Sequence, residues 1–197
     1  MRIAVDIDEV LFEFTKGFLK IAEDKGYGKK EYGEVLTYNL WEVFGISKDE
    51  ALKISEDFYN SINFERACVV VGAKEGVEKL KGRGYELFFL TNRPISWKEK
   101  TVSFLKNNFG VNEDSVFFAG DFHLENGKGK AEICHDLGVK IIIEDHNDYV
   151  IEYARQGIKV FLIDKPWNGG VKHENIVRCF GWGDVIGKLG RINDERG

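Results

Sequence analysis

Cysteine is scarce in this sequence: Cys68, Cys134 and Cys179 are the only three in 197 residues. They are widely spaced and odd in number, which argues against a disulfide-stapled scaffold and matches no metal-ligand pattern. Reduced thiols in a cytoplasmic setting are the expectation. His123, His135, His146 and His173 likewise share no metal-like spacing. No apolar run approaches the length that spans a bilayer, and no signal-peptide pattern precedes the first apolar segment. Charges of one sign are nowhere gathered into a block, and the formal net charge is −5. Neither a nucleic-acid polymer nor a membrane surface is therefore expected as a partner. An anionic substrate would need positive charge supplied locally. Repeats and low-complexity tracts are absent too. What remains is ordinary globular material, 43% hydrophobic and 31% charged, long enough for one domain or one domain with a sizeable insertion.

The first eleven residues, M-R-I-A-V-D-I-D-E-V-L, carry the strongest local signal. Ile3-Ala4-Val5 is short and uncharged, as expected of a buried parallel strand. Asp6 and Asp8 end it. In extended chain, residues two apart point the same way, so both carboxylates project from the strand's C-terminal end. In open α/β sheets ligands bind at that edge. From Phe14 to about Asp24 the pattern turns helical, with Phe14, Phe18, Leu19 and Ile21 as its stripe. A Gly- and Lys-rich break (26–33) and Y-N-L-W-E-V-F-G (38–45) follow. Ser47 with Glu50 three residues on is a capping box for a helix carrying Leu52, Ile54 and Phe58. Nothing from Glu13 to about Val70 reads as a strand of the main sheet, so residues 13–70 are expected to form a helical cap over the active edge.

Regular alternation resumes near Ala73 and continues to the end. Expected strands are 85–90, 116–119, 139–143, 158–163 and a short one around Val177, with helices between them and a last helix near 185–189. Ser96 with Glu99 suggests a second capping box, and Lys130 opens the helix that runs to Leu137. Such alternation implies parallel pairing with right-handed crossovers. Polar side chains then fall just beyond three apolar strands: Asp6 and Asp8, Thr91 and Asn92, Glu144 and Asp145. Parallel pairing brings these strand ends, with Lys130, to one rim although over a hundred residues separate them.

The chemistry such a set suits is phosphoryl transfer. One carboxylate attacks, a second handles the proton of the leaving group, and magnesium offsets repulsion between acids and phosphate. A hydroxyl and an ammonium hold the remaining phosphoryl oxygens.

D-I-D-E-V (6–10), T-N-R (91–93), Lys130 and Glu144-Asp145 together resemble the four motifs of the haloacid dehalogenase-like phosphatases. The resemblance covers the whole α/β core. It implies a Rossmann-like three-layer parallel sheet (1–12 and 71–197) with a small helical cap inserted after the first strand (13–70). By the same resemblance Asp6 is the nucleophile and a Mg2+ ligand, and Asp8 is the general acid/base and lends its carbonyl to the metal. Thr91, Asn92 and Lys130 hold phosphate, and Asp145 is a further metal ligand, with Glu144 acting through water or exchanging roles with it. Lys128 competes with Lys130 as the phosphate lysine. Within that superfamily, D-I-D-E-V-L-F-E-F (6–14) and D-K-P-W-N (164–168) are most similar to the 5′(3′)-deoxyribonucleotidase-like group. That implies a cytoplasmic nucleotidase whose small-molecule substrate is a nucleoside monophosphate, with a homodimer one option for its assembly. Phe14, Trp41, Phe44 and Arg93 are the implied substrate-binding residues, with Phe12 and Tyr38 as further pocket-wall candidates. Glu9 stands where many relatives have glycine, and T-N-R replaces T-S or T-A. A phosphatase for another small phosphorylated metabolite and a non-catalytic phosphate-binding module are the alternatives.

Overall fold

The computed structural model describes residues 1–65, 69–119 and 128–194. Its centre is a sheet of six parallel strands: β1 (Arg2–Asp6), β2 (Glu86–Thr91), β3 (Val116–Phe118), β4 (Ile141–Glu144), β5 (Lys159–Ile163) and β6 (Ile176–Cys179). They lie in the order β3-β2-β1-β4-β5-β6. β1 is therefore central, paired with β2 through Asp6 opposite Leu90 and with β4 through Val5 opposite Ile143. Alternate residues of the strands feed opposite faces. Ile3, Val5, Phe89, Ile143 and Phe161 join one buried cluster; Ala4, Leu90, Ile142 and Val160 join the other. That period of two explains why the strands read as continuous apolar runs.

Between β1 and β2 lie α1 (Phe14–Asp24), α2 (Leu40–Phe44), α3 (Lys48–Asn60), α4 (Ile62–Glu65) and α5 (Ala73–Gly82). Then come α6 (Lys98–Phe109), α7 (Lys130–Asp136), α8 (Asn147–Arg155) and α9 (Trp182–Asp194). α5, α6 and α9 cover the face of Val5 and Phe89, through Val77, Leu105 and Val185 among others. α7 and α8 cover the other through Cys134, Val150 and Tyr153. The result is a three-layer sandwich, as expected.

Among the described residues, 13–65 contribute no strand to the sheet. α1 and α3 pack on each other through Phe18, Ala22, Ala51 and Ile54. Gly17 makes the close approach possible, since a Cβ there would lie 2.0 Å from Phe58 Cζ. The Ser47 capping box forms, with its hydroxyl accepting from Glu50 N–H at 3.2 Å.

One expected cap does not form. The chain makes a short 3-10 turn over Ile95–Trp97 and α6 begins only at Lys98, with no side-chain cap. Trp97 is buried and stacks on Tyr59 with centroids 4.6 Å apart and planes 9° from parallel. Burial of that indole, worth more than one cap hydrogen bond, displaces the helix start. The last helix is longer than the apolar stripe suggested. Trp182 opens it, packing against Gly76 and donating its indole N–H to Val10 O at 2.8 Å. Cys68 and His123 lie outside the described residues.

Candidate active site

The tight turn leaving β1 is shaped by a conflict. Glu9 has φ +62°, the left-handed region that suits glycine. Leu11 and Phe12 N–H both donate to Ile7 O at 2.9 Å, and Glu9 N–H donates to Phe12 O at 2.7 Å. What holds a glutamate there is its carboxylate. It accepts from Thr15 N–H at 2.6 Å and from the Tyr32 hydroxyl at 2.7 Å, with Lys165 Nζ 3.6 Å away. Thr15 is the second residue of α1, whose own N-cap position, Glu13, makes no capping bond. Glu9 thus serves as a remote cap, its negative charge at the positive end of the helix.

Asp6, Lys130, Glu144 and Asp145 converge at the C-terminal ends of β1 and β4, all at most 6% exposed. Lys130 Nζ donates to Asp6 and lies 3.6 Å from Glu144 Oε2. Burial pushes the Asp6 carboxyl up, to about 6, with Asp8 adding to the rise and Lys130 opposing it. Burial and then Asp6 raise Glu144 to about 8. Asp145 is raised by burial, Glu144 and Asp6. Burial disfavours the Lys130 ammonium, but Asp6 and Glu144 outweigh it and hold it protonated. Lys128, the competitor, is exposed and pairs with Asp136 and Glu132 instead.

Carboxylate oxygens of Asp6, Glu144 and Asp145 all lie within 4.8 Å of one another. Glu144 Oε2 is buried without a hydrogen-bond partner. Three hard oxygen donors with one orphaned lone pair suit a small dication, which would offset the burial and repulsion that raise their pKa values. Asp145 is held from behind. Trp167 Nε1–H donates to its Oδ2 at 3.0 Å, and Asn168 Nδ2–H to its backbone oxygen at 2.7 Å. The Trp-Asn of D-K-P-W-N therefore pins the acid loop, a role that no local pattern signals. His146 is buried, caps α8 by accepting from Asp148 N–H at 3.2 Å, and burial lowers it to about 4.

Thr91 is fully buried as the last residue of β2, its hydroxyl accepting from Arg93 N–H at 3.1 Å; Asn92 beside it is half-buried. Arg93, expected against substrate, lies elsewhere. Its side chain is 2% exposed, donates to both oxygens of Asp8 and to Thr101 Oγ1, and so has no free face for a ligand.

Beside Asp8 and Glu9 a cavity of about 360 Å³ opens toward α1, α2 and α3. Phe14, Phe18, Tyr38, Trp41 and Leu52 supply its apolar wall, and Lys48 sits 4.8 Å above the Trp41 ring. Tyr38 meets His146 edge-on at 4.1 Å, and burial, Asp145 and Asp8 raise its phenol. Phe14 and Trp41 are thus where a substrate could meet them. Phe44 and Phe12 are not: Phe44 packs on Phe18 at 6.0 Å, and Phe12 is fully buried between Phe64 and Phe104. The sequence marks these aromatics as candidates for a pocket wall but cannot tell the cavity side from the packed side.

No family model matches the chain. It is 25% identical over 197 residues to a nucleotidase from Clostridium acetobutylicum, covering 99% of this chain and 96% of that one. Among solved structures it is similar to a haloacid dehalogenase-like hydrolase from Streptococcus pneumoniae. That similarity has a TM-score of 0.68 at 16% identity, over 95% of this chain and 97% of that one. A HAD family hydrolase from Deinococcus radiodurans, with bound phosphate and sodium, gives 0.62 at 14% identity, over 96% and 95%. At such identities these structures establish the fold, which is haloacid dehalogenase-like.

Proposed function

We propose that this haloacid dehalogenase-like chain is a magnesium-dependent phosphomonoesterase that hydrolyses nucleoside monophosphates through a phosphorylated Asp6. One observation carries the reaction: Asp6, Lys130, Glu144 and Asp145 lie together, buried, at the C-terminal ends of adjacent parallel strands. A cluster of carboxylates this desolvated is costly to keep and is best understood as a charge site. The relative named a nucleotidase and the aromatic cavity beside Asp8 support the substrate class. The insertion would then act as the cap that closes over the substrate.

Magnesium, bound by Asp6, Asp145 and the Asp8 carbonyl, with Glu144 through water, would neutralise the acids and the phosphate. Asp6 Oδ attacks phosphorus and the bond to the nucleoside oxygen breaks, its electron pair leaving on that oxygen. Asp8 donates the proton that oxygen takes up. Water then attacks the aspartyl-phosphate while Asp8 takes its proton, and the Asp6 carboxylate departs with inorganic phosphate as product. Lys130 and the Thr91 hydroxyl hold the non-bridging oxygens where charge builds, Asn92 supporting them.

The test is phosphate release from a panel of nucleoside monophosphates, sugar phosphates and p-nitrophenyl phosphate, with magnesium or a chelator. Asp6→Asn is expected to lower turnover at least 10⁴-fold while the protein still melts in a single cooperative transition. Full activity in that variant, or after chelation, sinks the mechanism. Turnover of sugar phosphates alone refutes the substrate class and keeps the reaction.

A further inference from the structure

We propose that Arg93 is a positioning residue, a rigid mount that aims the Asp8 carboxylate at the reacting oxygen. The inference rests on the phosphatase reading above. Arg93 Nη2 donates to Asp8 Oδ1 at 2.7 Å and Nε to Oδ2 at 3.0 Å. This fork fixes the plane of the carboxylate, which a single point charge would leave free to rotate. Nε also reaches Oδ1 at 3.3 Å, so Oδ1 meets two donors and Oδ2 only one. Oδ2 is the oxygen with lone pairs to spare for a proton in flight.

The mount is itself held on three sides. Nη1 donates to Thr101 Oγ1 on α6 at 2.9 Å. The guanidinium lies 4.5 Å from the Phe12 ring centroid and 5.2 Å from that of Phe64. Phe12 follows the β1 turn and Phe64 belongs to α4, so the arginine is set by both the core and the insertion. With 2% of its side chain exposed against 16% for Asp8, Arg93 works from behind the acid.

Leaving-group chemistry tests this. p-Nitrophenolate departs without a proton, so its release from Asp6 attack does not need Asp8; a nucleoside alkoxide does. Hydrolysis of the phosphorylated Asp6 needs Asp8 as base in both cases. Arg93→Lys is expected to lower kcat for a nucleoside monophosphate on the order of 100-fold, with KM within about threefold. Its pre-steady-state burst of p-nitrophenolate should persist at near parental rate, followed by slow turnover. Because Arg93 acts through Asp8, adding Arg93→Met to Asp8→Asn should cost less than about twofold more. That pair removes both charges together and so protects the fold. Loss of the burst in Arg93→Lys, a rise in KM alone, unchanged kcat, or additive losses in the double variant would each overturn the assignment. A parent protein that releases no phosphate from any substrate refutes the phosphatase reading itself, which the parent arm reports separately.

Discussion

Replacing Glu9 with glycine sets backbone strain against hydrogen bonding, and the structure says which wins. At φ +62° an L-residue costs about 1–2 kcal/mol that glycine does not. Against that relief stand two hydrogen bonds to an ionised acceptor, from Thr15 N–H at 2.6 Å and the Tyr32 hydroxyl at 2.7 Å. Each is worth about 1.5–3 kcal/mol, and glycine also loses about 0.5–1 kcal/mol of extra backbone entropy on folding. The loss is trimmed because Glu9 also repels Asp145. Glu9→Gly should therefore destabilise the metal-free protein by about 2–4 kcal/mol, although it restores the residue that the turn prefers. For a chain of this length that lowers Tm by roughly 4–16 °C. Urea denaturation should show a lower midpoint at constant m-value. Glu9→Gln, which retains one acceptor, should lose about half as much. A Glu9→Gly protein as stable as the parent, or more so, refutes the account of Glu9 as the remote cap of α1.

Three further expectations concern the site. Trp41→Ala should raise KM for a nucleoside monophosphate roughly 5- to 100-fold, the range for loss of one base-stacking face, and leave inhibition by inorganic phosphate unchanged; equal weakening of both would place Trp41 outside the base slot. Trp167→Phe removes the donor to Asp145 Oδ2 and should weaken magnesium binding about 10–100-fold by calorimetry, and unchanged affinity would contradict the pinning role. In chelator, stability should fall as pH rises from 6.5 to 8. Glu144 is raised to about 8, so across that window the folded state binds more protons than the unfolded one. His146, lowered to about 4 from 6.5, works in the opposite sense chiefly below that window and fades within it, leaving Glu144 dominant. Magnesium or Glu144→Gln should flatten the decline, measured as urea midpoints at each pH; a midpoint that climbs with pH refutes it.

Much of this molecule was legible before folding because its signals are local. Short apolar runs separated by helical stripes, those before Asp6, Thr91, Glu144 and Asp164 closed by an acid or a threonine, admit little but a parallel sheet. Parallel pairing then brings Asp6, Thr91, Lys130 and Asp145 to one rim. Of the two candidate lysines, Lys130 faces Asp6 while Lys128 faces solvent and pairs with Asp136. Ser47 and Glu50 formed their box because cap and helix are neighbours in the chain.

Contacts between distant segments had no such signature. Ser96 lost its cap to the burial of Trp97 on Tyr59, a partner from α3. Arg93 is taken up by Asp8, Thr101, Phe12 and Phe64, which together enclose its guanidinium. Glu9 tolerates a glycine's backbone only because Tyr32 and the start of α1 come to meet it. Phe14 and Trp41 face the cavity while Phe12 and Phe44 do not, although all four read alike along the chain. Periodicity determined which residues are buried and which acids share an edge. Which side of a helix meets a ligand, and which buried charges answer one another, are long-range packing outcomes, and only the tertiary structure decided them.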